Sequence, residues 1–226
     1  MAADDQRIVA AIVVAAGWGE RLGSGGPKAF VAVAGRTLLE HATEPFRTHR
    51  RVRDVILVAP ANLTASAAEL VPSATVVPGG RTRQESVARG LAALADDVEL
   101  VLVHDVARAF VPPAVLDRVL QALDAGAAAV VPVVPVTDTI RAYSAGTNEL
   151  GATVDRSSLR AVQTPQGFSR ATLDAAHAGA DPDATDDASL VEAIGGQVVA
   201  VRGAEEAFKV TVPLDLARAE AVAARG

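Results

Sequence analysis

No cysteine occurs in the 226 residues, which excludes disulfides, thiolate nucleophiles and cysteine-bound metal. Aromatic side chains make up only 3% of the chain although hydrophobic residues make up 50%. A core must therefore be built from Ala, Val and Leu, a mixture suited to a parallel sheet covered by helices. No apolar run approaches the roughly 20 residues that span a bilayer. The run that follows Arg7 stops at Gly17, and the stretch 1–7 is acidic and polar, unlike a secretion signal. Excess positive charge is also missing: the net charge is −6, which argues against a nucleic-acid surface. Any phosphate site must then be a local basic pocket and not a global field. The expectation is a cytoplasmic protein with no membrane and no nucleic-acid partner.

Short β-branched runs recur, with helical stretches between them. Residues 8–14, 54–58, 75–77, 100–103, 128–134 and 198–201 read as buried strands. Between them, Val87, Leu91 and Leu94 share one helix face. The pair Pro112 and Pro113 opens another helix, with Val115, Leu116, Val119, Leu120 and Leu123 on its inner side. Alternating strand and helix is the pattern of an open α/β sheet with right-handed crossovers. From 136 to 159 the sequence turns polar, with Gly146, Asn148 and Gly151 as turn formers and little to bury. A segment that long without a core face reads as a projecting β-arm with a job to do. With no repeat and no low-complexity linker, residues 1–226 count as one domain. A chain of that size buries roughly 70–75% of its unfolded surface.

The strongest local signal follows the first strand: Ala15-Ala16-Gly17-Trp18-Gly19-Glu20-Arg21-Leu22-Gly23-Ser24-Gly25-Gly26-Pro27-Lys28. Glycines let backbone amides approach a polyphosphate and form an anion-binding nest, and Arg21 and Lys28 add two cations. The loop is not a dinucleotide fingerprint, because Leu22 stands where that motif needs its last glycine. It is not an ATPase loop either, because Pro27 separates Gly26 from Lys28 and Ala29 follows.

Ala-Ala-Gly-x-Gly-x-Arg-(x)6-Pro-Lys resembles the signature loop of nucleotidyltransferases that activate sugars and polyols. His104-Asp105-Val106-Ala107-Arg108-Ala109 and Gly79-Gly80-Arg81-Thr82-Arg83-Gln84-Glu85-Ser86-Val87 follow, then Val136-Thr137-Asp138-Thr139-Ile140 and Thr153-Val154-Asp155-Arg156. Gln163-Thr164-Pro165-Gln166, Thr185-Asp186-Asp187-Ala188-Ser189 and the stretch from Lys209-Val210-Thr211 to Pro213, Asp215 and Leu216 complete the set. Together these motifs are similar to those of the methylerythritol-phosphate cytidylyltransferase family, from residue 15 to residue 216. The resemblance implies a Rossmann-like nucleotidyltransferase fold, with a mostly parallel sheet, helices on both faces and a β-arm at about 136–159. It implies transfer of CMP from CTP to 2-C-methyl-D-erythritol 4-phosphate, with Mg2+ as cofactor, in a homodimer built through the arm.

The same resemblance assigns roles. Arg21 and Lys28 stabilise charge at the α-phosphate and the departing pyrophosphate, Lys209 sits near the reacting phosphates, and Arg156 holds the polyol phosphate. The backbone of Ala15 and Ala16, the loop Gly17, Trp18 and Gly19, and Gly80, Ser86 and Val106 hold the nucleotide. Asp105, Arg108 and Thr139 join Arg156 on the substrate side; for Asp105, a magnesium-bound water or a helix cap are alternatives. No metal ligand set is assigned, and His104 reads as a structural, hydrogen-bonded histidine, since no second ligand is spaced for it. Val106 and Ala109 depart from the family's alanine and proline, and Arg81 stands where some members carry a carboxylate. Other readings are a cytidylyltransferase for another polyol phosphate such as ribitol 5-phosphate, a uridylyl- or adenylyltransferase, or a non-catalytic nucleotide-binding protein.

Overall fold

Strand β1 (Val9–Val14) reads Val-Ala-Ala-Ile-Val-Val, and its first five residues are fully buried. Such a run needs a strand on each edge and cover on each face. The structure, a computed structural model describing residues 7–19, 22, 26–144, 146–179 and 184–225, supplies both. A small hairpin, β2 (Ala32–Val33) and β3 (Arg36–Thr37), leads into α1 (Leu38–Thr48). Then come β4 (Val52–Ala59), α2 (Thr64–Leu70), β5 (Thr75–Pro78), α3 (Arg83–Ala92) and β6 (Leu100–Asp105). These pair in parallel, with β1 between β4 and β6 and β5 beyond β4. The expected strands of this half are all present.

The second half holds α4 (Pro113–Asp124), β7 (Ala129–Pro135), β8 (Ile140–Ser144), β9 (Glu149–Val154), β10 (Arg160–Val162) and β11 (Gln166–Ser169). It ends with α5 (Arg170–Ala178), α6 (Asp187–Ala193), β12 (Val198–Arg202) and α7 (Pro213–Ala223). Pro113 opens α4 at its first turn, where a missing N–H costs nothing. β12 runs parallel to β7. β11, which the sequence did not announce, is antiparallel to both β6 and β7, so it joins the two parallel parts. The same β7 residues pair with β12 on one edge, so β10 and β11 lie along the other.

Helices cover both faces, because alternate residues of β1 point opposite ways. Val9, Ala11 and Val13 belong to one core with Phe46 of α1 and Leu116 of α4. Ala10 and Ile12 belong to the other, with Val87 and Leu91 of α3 and Leu173 of α5. The start of α1 is fixed by a capping box: Thr37 Oγ1 accepts the Glu40 N–H, and Glu40 Oε2 accepts the Thr37 N–H at 2.7 Å.

β8 and β9 pair only with each other and form a separate two-stranded sheet whose strand residues are all exposed. The segment is less polar than its sequence suggested: Ile140, Tyr143, Leu150 and Val154 all stand exposed on it.

His104, on β6, has no solvent exposure, and its ring lies 4.9 Å from that of Phe46. Its Nδ1 meets Thr164 Oγ1 at 2.9 Å and its Nε2 meets the Arg108 carbonyl at 3.2 Å. Since a carbonyl can only accept, Nε2 carries the proton and Nδ1 accepts from the threonine hydroxyl. Burial pushes this imidazole down to about 4, with Asp105 only partly offsetting the shift. The unfolded chain therefore binds the proton more tightly, and stability falls as pH drops from about 6.5 towards about 4. Between pH 7 and pH 5 the loss from His104 should be about 2 kcal/mol. Urea unfolding at the two pH values, for wild type and His104→Gln, should show a clearly shallower pH dependence in the variant. An unchanged dependence would contradict the assignment.

Candidate active site

β1, β4, β5 and β6 are parallel, so their carboxyl ends lie on one side of the sheet, where open α/β sheets bind ligands. A cavity of about 320 Å3 sits there, lined by Val14, Ala16, Gly17 and Gly19 after β1, and by Gly80 to Arg83 and Ser86 after β5. Asp105, Val106 and Ala107 after β6 complete it, with Lys28 and Lys209. Among these described residues are four cations, Lys28, Arg81, Arg83 and Lys209, and a single carboxylate, Asp105. An acidic chain thus concentrates positive charge in one place.

Lys28, Arg83 and Lys209 are positioned by local structure. Gly19 has a φ of +66°, and a Cβ there would lie 2.5 Å from Lys28 Cβ, so the Lys28 side chain passes over a bare backbone. Lys28 Nζ donates to the Val210 carbonyl at 3.0 Å, and the Val210 N–H donates to the Ala107 carbonyl at 2.7 Å. These bonds tie the loop after β1, the end of β6 and the Lys209 segment together. Lys209 Nζ lies 2.8 Å from Asp105 Oδ2, and Arg83 Nε lies 3.1 Å from Asp105 Oδ1. Burial would push the Asp105 carboxyl up, but the charges of Arg83 and Lys209, with their hydrogen bonds, hold it well below the usual carboxylate range. It is an anion, and an acceptor only, at any physiological pH.

The β5–α3 junction is equally tight. A Cβ on Gly79 would lie 2.2 Å from Ala16 Cβ, so only glycine lets this turn approach the loop after β1. Ser86 Oγ accepts the Gly80 N–H at 3.0 Å and donates to the Thr82 carbonyl at 2.9 Å. Arg81 is almost wholly exposed at the rim, while its N–H is held by Glu85 at 2.8 Å.

The other sequence candidates distribute as follows. Ala15 is buried and donates to the Val58 carbonyl, and Trp18 is exposed; neither lines the cavity. Val106 does line it, and Ala109 is buried behind. Arg108 is not among the lining residues: its guanidinium bonds the Ala207 carbonyl at 2.9 Å and the Val162 carbonyl at 3.0 Å. Thr139 and Arg156 lie on or beside the exposed hairpin, outside the cavity of their own chain, and Arg156 donates to the Thr137 carbonyl. Arg21 and Glu20 lie outside the described residues. Three residues of the site had been given no role. Arg83 and Asp187 sat inside quoted motifs. Thr164 accepts the Asp105 N–H at 3.1 Å and holds His104.

Among the described residues, no group of three or more His, Asp or Glu side chains is arranged to hold a metal ion. A magnesium ion carried on triphosphate oxygens and water is typically held by only one or two carboxylates. Asp105 is such a group, so the donor set fits an ion that arrives with a nucleotide. Among the described residues, no helix is long and apolar enough to cross a membrane.

The family model for 2-C-methyl-D-erythritol 4-phosphate cytidylyltransferase matches residues 9–225. The enzyme of that name from Streptomyces coelicolor is 51% identical, with 96% of this chain and 85% of that protein covered. The one from Rhodococcus jostii is 48% identical, with 99% of each covered. The crystal structure of the Thermus thermophilus enzyme of that name superposes with a TM-score of 0.80 at 43% identity, covering 96% of this chain and 98% of that one. With the cavity, its cations and nearly the whole length accounted for, the chain belongs to the 2-C-methyl-D-erythritol 4-phosphate cytidylyltransferase family.

Proposed function

We propose that this protein transfers CMP from CTP to 2-C-methyl-D-erythritol 4-phosphate, giving 4-diphosphocytidyl-2-C-methyl-D-erythritol and pyrophosphate, in the cytoplasm as a step towards isoprenoid precursors. The observation that carries the reading is the convergence of Lys28, Arg81, Arg83 and Lys209 on one cavity at the strand ends of an acidic chain. Two polyanions have to meet there, and their repulsion is what positive charge and in-line placement overcome.

An oxygen of the polyol phosphate attacks the α-phosphorus of CTP. The bond from that phosphorus to the bridging oxygen breaks, and pyrophosphate leaves with the electron pair. The nucleophile is already an anion, so neither a covalent intermediate nor a general base is needed. Lys28, beside the Gly17–Gly19 backbone, meets charge on the α-phosphate and the leaving pyrophosphate, with Arg21 assigned the same task. Gly80 and Ser86 hold the cytidine end. Asp105, fixed as an acceptor, receives hydrogen bonds from hydroxyls of the polyol, and Lys209 draws in the phosphates. Mg2+ is assigned as the cofactor; Asp105 would help to hold it through a bound water, and the ion would neutralise triphosphate charge.

The reading includes a homodimer. An isolated two-stranded hairpin is marginally stable, and β8–β9 carries four exposed apolar side chains along with the flanking Thr139 and Arg156. Exchange of this arm across a two-fold axis would bring Thr139 and Arg156 to the partner's cavity, reciprocally.

Three tests follow. Pyrophosphate release should require CTP, Mg2+ and 2-C-methyl-D-erythritol 4-phosphate; a preference for ribitol 5-phosphate or for UTP would overturn the assigned substrates. Lys28→Ala should lower turnover by about 100-fold or more with the fold intact, and near-normal turnover would make Lys28 a surface cation. Lys28→Ala and Arg156→Ala, each nearly inactive alone, should regain about a quarter of wild-type activity after equal mixing and verified subunit exchange. No recovery would place Arg156 in its own chain's site.

A further inference from the structure

We propose that Arg83 is a positioning residue for this reaction: braced from behind by Asp187, it fixes the direction in which Asp105 presents its carboxylate to the polyol. The proposal rests on the reading above, in which Asp105 meets the polyol hydroxyls.

Arg83 opens α3 and lines the cavity, and it connects two carboxylates through different nitrogens. Nε lies 3.1 Å from Asp105 Oδ1, and NH1 lies 2.8 Å from Asp187 Oδ2. Its third nitrogen, NH2, is buried and has no hydrogen-bond partner among the described residues. The side chain is therefore placed for its two ion pairs, at the expense of its third nitrogen.

The rear carboxylate is a fixed point of the fold. Asp187 is fully buried at the start of α6, and its Oδ1 lies 2.9 Å from His177 Nε2 on α5. Gln166 on β11 holds that helix start at two points. Its Nε2 donates to Asp186 Oδ2 at 2.6 Å, and its Oε1 accepts the Ala188 N–H at 3.2 Å. Gln166 is itself the register partner of Val103 on β6, the strand that ends in Asp105. A closed circuit thus runs from β6 through β11, α6 and Arg83 back to the carboxylate at the tip of β6.

A planar guanidinium held at two nitrogens has a defined orientation, whereas an ammonium supplies a point charge free to pivot. Charge alone would leave Asp105 ionised but able to pivot about the Lys209 ammonium on Oδ2; the braced Arg83 on Oδ1 sets its angle. The group that feels this angle directly is the hydroxyl-bearing polyol; the triphosphate meets Lys28 and the glycine loop, and its metal ion would reach Asp105 only through water.

The test is steady-state kinetics with CTP and 2-C-methyl-D-erythritol 4-phosphate varied in turn, with thermal melting alongside, for wild type, Arg83→Lys, Asp187→Asn and the double variant. Arg83→Lys should raise KM for the polyol phosphate about tenfold or more, while KM for CTP changes by less than about twofold. Asp187→Asn should shift the same constant in the same direction by a smaller factor. The double variant should be no worse than Arg83→Lys alone, since both lesions break one path. Should the lysine variant not fold, Asp187→Asn decides the matter alone. A raised KM for CTP, or a lower melting temperature with polyol KM unchanged, would overturn the role of Arg83 in an otherwise active enzyme. A wild-type chain that releases no pyrophosphate with this polyol phosphate overturns the underlying reading as well.

Discussion

The ion pairs of Asp105 are the constraint on which the rest of the site depends. Cations gathered in a partly desolvated cavity repel one another, and without a central anion Arg83 and Lys209 could not converge there. The arrangement is sensitive because part of it is dry. Removing one partner of a buried pair such as Arg83–Asp187 typically costs about 3–5 kcal/mol, since a charge is left uncompensated. The Lys209–Asp105 pair is different: Lys209 is about half exposed, so solvent weakens its contribution to stability. That exposure suits the proposed role, in which Lys209 exchanges a protein carboxylate for a phosphate when substrate arrives.

The scaffold delivers Asp105 to this position by simple means. β6 pairs in parallel with β1, so its carboxyl end falls beside that of β1 and on the same side of the sheet as that of β5, where the loop glycines leave backbone exposed. Behind it, neutral His104 and Thr164 fill the interior and anchor the Asp105 N–H. Arg108 and Gln163 bind carbonyls and amides of the segment leading to Lys209: Gln163 bonds both the N–H and the carbonyl of Ala204, and Arg108 the carbonyl of Ala207. Much of the polar machinery around the cavity therefore holds in place the segment that leads to Lys209.

This division explains what could be read from the chain beforehand. The strands that became β1, β4, β5, β6, β7 and β12 were legible because they are short β-branched runs bounded by turn residues. α4 was announced by its prolines. β11 was not, because Gln166-Gly167-Phe168-Ser169 has a single large apolar side chain, and its burial comes from the strands on either side. α1 had a usable signal that went unread, the Thr37-x-x-Glu40 capping box. At the site, the glycine loop, Lys28, Asp105 and Lys209 were found through motif order, and all but part of the loop line the cavity. Arg83 and Asp187 were inside quoted motifs but carried no visible role, because an ion pair between residues 104 positions apart leaves no trace in spacing. Arg108, a cation close to the key aspartate in sequence, has a guanidinium that bonds two backbone carbonyls, a tie that spacing does not announce.

The claim underlying all of this is that the Asp105-centred basic cavity receives the nucleotide with its triphosphate on the lysine side. The crystal structure of the protein with CTP and Mg2+ tests it most directly. The account predicts phosphate oxygens within hydrogen-bonding distance of Lys28 and the Gly17–Gly19 backbone, and cytosine against Gly80 and Ser86. CTP bound elsewhere on the sheet, or with its triphosphate turned away from Lys28, would contradict it.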